Sequence, residues 1–362
     1  MLPFPPATSL KWLLRLVIGV AIITILIAWK GAGVQAALAQ ASWRSLAISV
    51  ALYLATQLIS AWKWQILLNA SLPDLLPDSQ AQSAARSTPD AAGFPKNAEF
   101  SRPTLSACFR FYLMGMFCNL WLPTSVGGDA VRAALAGKRW GNLPIAVSSI
   151  LVERITGLLA LLVIGASGWL FWWTQTASHY NAPTNAGNAS NSVLYPALGA
   201  LAATGVLGLL LIALRKSAYH LEARSSSSLI GKWAKIHRAM DVFTSPPLRP
   251  ALAQALVLSL VFQSTQVALN VYLAHSIGLN LSPIIFIWLV PSLAIASLIP
   301  LGIGGLGVRE GAAVSLIQSA LPIQHAPEAA TILAWSLLWQ ATLWLSGLPG
   351  AIAYLTQKER TP

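Results

Sequence analysis

An all-helical protein that crosses a membrane several times is the expectation raised by three observations: scarce charge, long apolar runs, and tryptophans at the ends of those runs. Of the 362 residues, 56% are hydrophobic and 9% charged, with mean hydropathy +0.63. Soluble domains carry about 25% charged residues, so this chain is built to be solvated by lipid. Fifteen tryptophans are present, and Trp29, Trp43, Trp62, Trp64, Trp169, Trp172 and Trp173 fall where an interfacial belt places them. About six full spans are expected, with two broken or re-entrant helix hairpins related by an internal, inverted repeat, all in one membrane domain over residues 1–362.

The first run covers 12–30. Lys11 and Arg15 precede it and Ala37-Leu38-Ala39 resembles a signal-peptidase site. An uncleaved first span is preferred, because the run is long enough to cross with modest tilt. A second span follows at 44–62. Residues 70–104 are rich in Pro, Ser, Ala and Asp without periodicity, and predict a solvated, disordered cytoplasmic loop. Spans at 144–173 and 193–214 flank the Asn-rich stretch 175–192, which has no Lys or Arg. The basic loop 217–248, with Arg215, Lys216 and Arg249 beside it, belongs in the cytoplasm, as do both termini, the membrane being the bacterial inner membrane. Within it, Leu229, Trp233, Ile236, Met240 and Phe243 recur at 4-3-4-3 spacing with Lys232, Lys235 and Arg238 between. Such a helix (229–243) either lies on anionic inner-leaflet lipid or packs on the rest of the chain. Spans at 251–276 and 329–356 complete the set, with shorter runs at 105–122, 283–299 and 308–321.

The short runs end in a repeated interruption. Leu122-Pro123-Thr124-Ser125-Val126-Gly127-Gly128-Asp129-Ala130-Val131-Arg132 returns as Ile299-Pro300-Leu301-Gly302-Ile303-Gly304-Gly305-Leu306-Gly307-Val308-Arg309, followed by Glu310. The shared skeleton is Pro, three residues, Gly-Gly, two residues, Val-Arg. Proline and paired glycines break helices, and two such breaks in matching halves of a membrane protein point to a transport site. Basic residues on both flanks of 105–122 make that segment re-entrant. For the second copy, a re-entrant hairpin and two full crossings satisfy the flanking charges equally well.

Asp129, Glu153 and Glu310 are the acidic residues inside apolar or motif segments, and each has an arginine close in sequence: Arg132, Arg154 and Arg309. Charge in lipid is expensive unless paired or turned to a wet cavity. Neighbours on a helix point about 100° apart, so Glu153 and Arg154 are expected to pair with other segments. Two readings compete. Arg132, Arg154 and Arg309, with amides freed at Gly127, Gly128, Gly304 and Gly305, hold an anionic headgroup while Asp129, Glu153 and Glu310 compensate charge or carry a proton. Alternatively these ions only lock broken helices together.

Other chemistry is not signalled. No phosphate-binding GxxxxGK[ST] loop, HExxH or GxSxG occurs. Cys108 and Cys118 fit no metal or redox spacing, and the five histidines are scattered. No cofactor, metal or nucleic-acid partner is expected; the +12 charge is read through loop asymmetry.

Asn119-Leu120-Trp121-Leu122-Pro123, Gly127 to Arg132, Val152-Glu153-Arg154-Ile155-Thr156-Gly157 and Gly304 to Gly311 together resemble the family containing the membrane domain of lysylphosphatidylglycerol synthases. The resemblance runs over residues 12–356. It implies a domain that moves a phospholipid or isoprenoid-type lipid between leaflets, and it implies roles for Gly127, Gly128, Asp129, Arg132, Glu153, Arg154, Gly304, Gly305, Arg309 and Glu310. Bifunctional members carry a soluble aminoacyl-transferase domain; here the chain stops soon after the last span, so a non-enzymatic, ATP-independent flippase is expected. A headgroup-modifying transferase and an accessory subunit of an envelope-lipid pathway are the alternatives. Homo-oligomerisation is compatible with all three.

Overall fold

The computed structural model describes residues 31–72, 102–121, 127–179, 246–297, 307–321 and 326–358. The expected spans at 12–30 and 193–214, the amphipathic segment 229–243, most of 70–104 and 217–248, and Gly304 and Gly305 lie outside the described residues.

Every described element is helical. After a helical stretch at 31–40, α1 spans Trp43–Ser71. The Ser42 hydroxyl accepts from the Ser45 amide at 3.1 Å, satisfying one of the donors a helix start leaves free. Helix α1 continues well past the expected end at residue 62, because nothing interrupts it until Pro73. Ala70 and Ser71 are therefore helical, and the polar insertion begins only after them. Near its other end, the Pro103 carbonyl accepts from Gln65 and Asn69 of α1, at 3.0 and 3.3 Å.

Helix α2 is Leu105–Trp121 and α3 is Gly127–Trp140. Gly141, at φ +73°, ends α3 in the left-handed conformation that only glycine adopts cheaply. Asn142 then caps α4, Leu143–His179, its Oδ1 accepting from the Ile145 amide at 3.0 Å. A short turn, Pro246–Leu248, leads into α5, Arg249–His275. Helix α6, Pro283–Ala296, has proline at its first position, where no amide is needed. Helix α7 is Val308–Ala320, α8 is Ala329–Gly347 and α9 is Pro349–Lys358. The apolar run expected as one span at 329–356 is thus two helices. Pro349 cannot donate to a continuing helix, and the chain turns at Leu348.

By length and composition α1, α4 and α5 are able to cross a membrane, and α2 and α6 are shorter apolar helices. The chain is a polytopic, all-helical membrane protein. Helix α1 packs along α5 and also meets α2, α4 and α8. One core, with Trp64, Met114, Phe111 and Ala136, fills the space between α1, α2, α3 and α4. A larger one, with Leu273, Phe286, Leu289 and Trp335, joins α5 to α8. Trp43 and Trp62 are exposed as a belt requires, but Trp64 is fully buried. Two residues along a helix is about 200° of rotation, so Trp62 and Trp64 face opposite ways.

Candidate functional site

The first glycine motif sets the start of α3. A side-chain carbon on Gly128 would run into the Gly115 carbonyl of α2, and the Gly128 amide donates to Asn119 Oδ1 at 2.7 Å. Bare backbone on both helices lets α2 and α3 touch. One turn later, Arg132 is carried into the gap, its side chain lying directly over Gly115.

Arg132 is 1% exposed. Its Nη2 donates to Glu153 Oε2 at 2.6 Å and its Nη1 to Asp129 Oδ1 at 3.1 Å. The guanidinium lies 3.9 Å from the Tyr112 ring centre and 4.4 Å from that of Trp64. Desolvated cation–ring contacts of this kind stabilise by about 2 kcal/mol. Tyr112 donates to the other Glu153 oxygen at 2.9 Å, and Trp64 is fixed by donating to Ser149 at 3.0 Å. Every group around Arg132 is thus held by another helix.

Glu153 and Arg154 are adjacent on α4 and diverge as helical geometry requires. Glu153 faces Arg132 in the interior. The Arg154 side chain is 53% exposed and grips Asp129 with a two-pronged bond, Nε to Oδ2 and Nη2 to Oδ1, both 2.7 Å. Asp129 bridges the two arginines.

Lys63 of α1, which carries no motif signal in the sequence, joins this cluster. It is 4% exposed, and its ammonium donates to Ser259 Oγ at 3.0 Å and the Glu153 carbonyl at 3.4 Å. It forms no ion pair with a described carboxylate. The signal available was a lysine flanked by tryptophans within an otherwise apolar helix, a position where a charge is rarely tolerated without a role. Tyr112 gave no signal at all.

The second motif is arranged differently. Gly307, at φ +86°, precedes α7. Glu310 accepts from the Gly307 amide at 2.6 Å and from the Ser336 hydroxyl at 3.2 Å, so its carboxylate serves the start of its own helix. Arg309 is 6% exposed, lies 5.1 Å from the Trp339 ring centre, and reaches Asn270 Oδ1 at 3.4 Å. Its Nε has no hydrogen-bond partner among the described residues.

The structure therefore brings Asp129, Arg132, Glu153 and Arg154 into one cluster, adds Lys63, and places Arg309 and Glu310 in a second. Tyr53 of α1 packs at the second cluster: its ring meets edge-on, at 5.7 Å, the Trp339 ring that Arg309 also faces. Among the described residues no group of three or more His, Cys, Asp or Glu side chains is placed to hold a metal.

No curated protein and no solved structure matches the chain. The family described as "Lysylphosphatidylglycerol synthase TM region" matches residues 16–350, which include both glycine motifs and the Glu153–Arg154 pair. A helical bundle spanning a membrane, with ion clusters at the start of α3 and α7, is what that match covers, and the chain belongs to this family, which is tied to lipid headgroup metabolism or transport.

Proposed function

We propose that this protein moves an anionic lipid, or a lipid-linked headgroup, between the leaflets of the bacterial cytoplasmic membrane without ATP. The carrying observation is Arg309, buried at the head of α7 with no ion pair to a described carboxylate. A guanidinium in an apolar bundle is costly unless an anion joins it, and a phosphate matches its donor geometry. The first cluster leans the same way: among the described residues, Lys63, Arg132 and Arg154 gather around Asp129 and Glu153, three cations against two carboxylates. Arg154 is the exposed member and is suited to meet a headgroup first, while Arg132 is enclosed.

In this mechanism the two motifs are the broken helices of an inverted repeat, entering from opposite sides with both chain termini in the cytoplasm. The acidic residues offset part of the positive charge of the empty site and leave an excess for the anion. Binding energy comes from replacing water around the phosphate by guanidinium and amide donors.

Reconstitution in phosphatidylcholine vesicles containing a trace of nitrobenzoxadiazole-labelled phosphatidylglycerol tests the proposal. The parent protein is expected to expose inner-leaflet label to an external reductant, and Arg309→Ala to slow this by about tenfold or more, equivalent to about 1.4 kcal/mol. Equal rates for the two proteins, or no transfer by the parent, reject the assignment. Mass spectra of the lipids should be unchanged; a new lipid species would make the protein a headgroup-modifying enzyme instead.

A further inference from the structure

A line of hydrogen-bonding side chains runs along the face where α1 meets α5. On α1 it consists of Tyr53, Thr56, Ser60 and Lys63; on α5 of Ser259, Gln263, Gln266 and Asn270. Both sets recur every three or four residues and so return to a single helix face. Hydrogen bonds tie it to its neighbours at three levels. Lys63 donates to Ser259 at 3.0 Å, Gln266 to Thr56 at 2.9 Å, and Arg309 to Asn270 at 3.4 Å. On α4, Ser259 reaches Thr156 at 3.4 Å and Gln263 reaches the Gly157 carbonyl at 3.2 Å. From Ser259 to Asn270 the rise is about 16 Å, roughly half of a ~30 Å hydrocarbon core.

Polar side chains that hydrogen-bond across helices are one common means of association in lipid; what sets this seam apart is the charge at its ends. Where α4 meets α6 the helices approach through small residues, with Gly165 against Pro291 and Gly168 against Ile287. Small residues are the other common means of helix association in lipid. The α1–α5 face instead places neutral donors and acceptors between two buried cations, Lys63 and Arg309, neither of which forms an ion pair with a described carboxylate. Such a line offers a phosphate a hydrogen-bond partner at each turn between one cation and the next. We propose that this seam is the route of the lipid phosphate between Arg309 and the first cluster, with Lys63 as a further headgroup-binding residue. The proposal rests on the translocation reading and adds its path.

The same vesicles containing labelled phosphatidylglycerol test it. Lys63→Met and the paired change Thr56→Val with Gln266→Leu keep size and remove polarity. Each is expected to slow transfer by about tenfold, equivalent to about 1.4 kcal/mol. Lys63→Arg should keep most of the rate, and Ser264→Ala, on the exposed side of α5, all of it. Should Arg309→Ala slow transfer while the seam variants match the parent, the path is wrong and the translocation reading stands. Should the parent transfer nothing, both fall. A second readout does not depend on rate. In a Cys108→Ala, Cys118→Ala background, Gln266→Cys is expected to react with a small water-soluble thiol reagent in membranes, and to be shielded by short-chain phosphatidylglycerol. No reaction would mean a permanently dry interface and would overturn the path.

Discussion

Arg132 and Arg309 hold equivalent positions in the repeated motif yet differ in what surrounds them. Around Arg132 two carboxylates and two rings fix the guanidinium; around Arg309 the described residues supply an amide oxygen and a ring, and no paired carboxylate. The cause is the position of the acid. Asp129 lies three residues before Arg132, one turn away on the same helix face, whereas Glu310 follows Arg309 directly and turns back to the Gly307 amide. Glu153→Gln should therefore lower stability by roughly 3–5 kcal/mol, the cost of removing one member of a buried ion pair. Arg154→Ala should cost less than about 1 kcal/mol, because its side chain is half exposed, while slowing lipid transfer. Thermal unfolding in detergent separates the two: similar losses for both would contradict the burial contrast. Glu310→Ala should cost about 1–2 kcal/mol, from the lost cap and an orphaned buried amide.

Glycine acts differently in different elements. At Gly128 a methyl group meets the Gly115 backbone and the Asn119 side chain, so α2 and α3 would have to separate. At Gly311, inside α7, nothing stands within 4 Å of the added carbon. Gly128→Ala is thus expected to destabilise by several times the ~1 kcal/mol that alanine normally gains over glycine in a helix, and Gly311→Ala to be neutral or stabilising by up to that amount. Size-exclusion profiles and melting points of the two variants check this; a stable Gly128→Ala would mean that the α2–α3 contact is not needed. The α8–α9 break depends on the same kind of contact. A side chain on Gly350 would strike the Leu113 carbonyl, and α9 returns along α2. The Gly347-Leu348-Pro349-Gly350 stretch is a local breaking signal, but apolar residues resume on its far side, so a hydropathy run bridges the turn.

For the whole molecule, the positive-inside rule predicts the topology. In the cysteine-free background, Ser226→Cys should resist an impermeant thiol reagent in intact cells, and Asn188→Cys should react. The opposite pattern would invert the proposed orientation. Much of the rest was legible beforehand: the membrane class from composition, the positions of α1, α4 and α5 from apolar runs, and the glycine-arginine motif from its repetition. Apolarity and helix breaking are local properties, written residue by residue. Which cation is neutralised is not. Lys63 reaches Ser259 and the Glu153 carbonyl across 196 and 90 residues of chain, and Tyr112 reaches Glu153 across 41. Composition and spacing named the charged groups, but packing chose their partners, because electrostatic energy in an apolar interior depends on distances of a few ångströms that no linear pattern encodes.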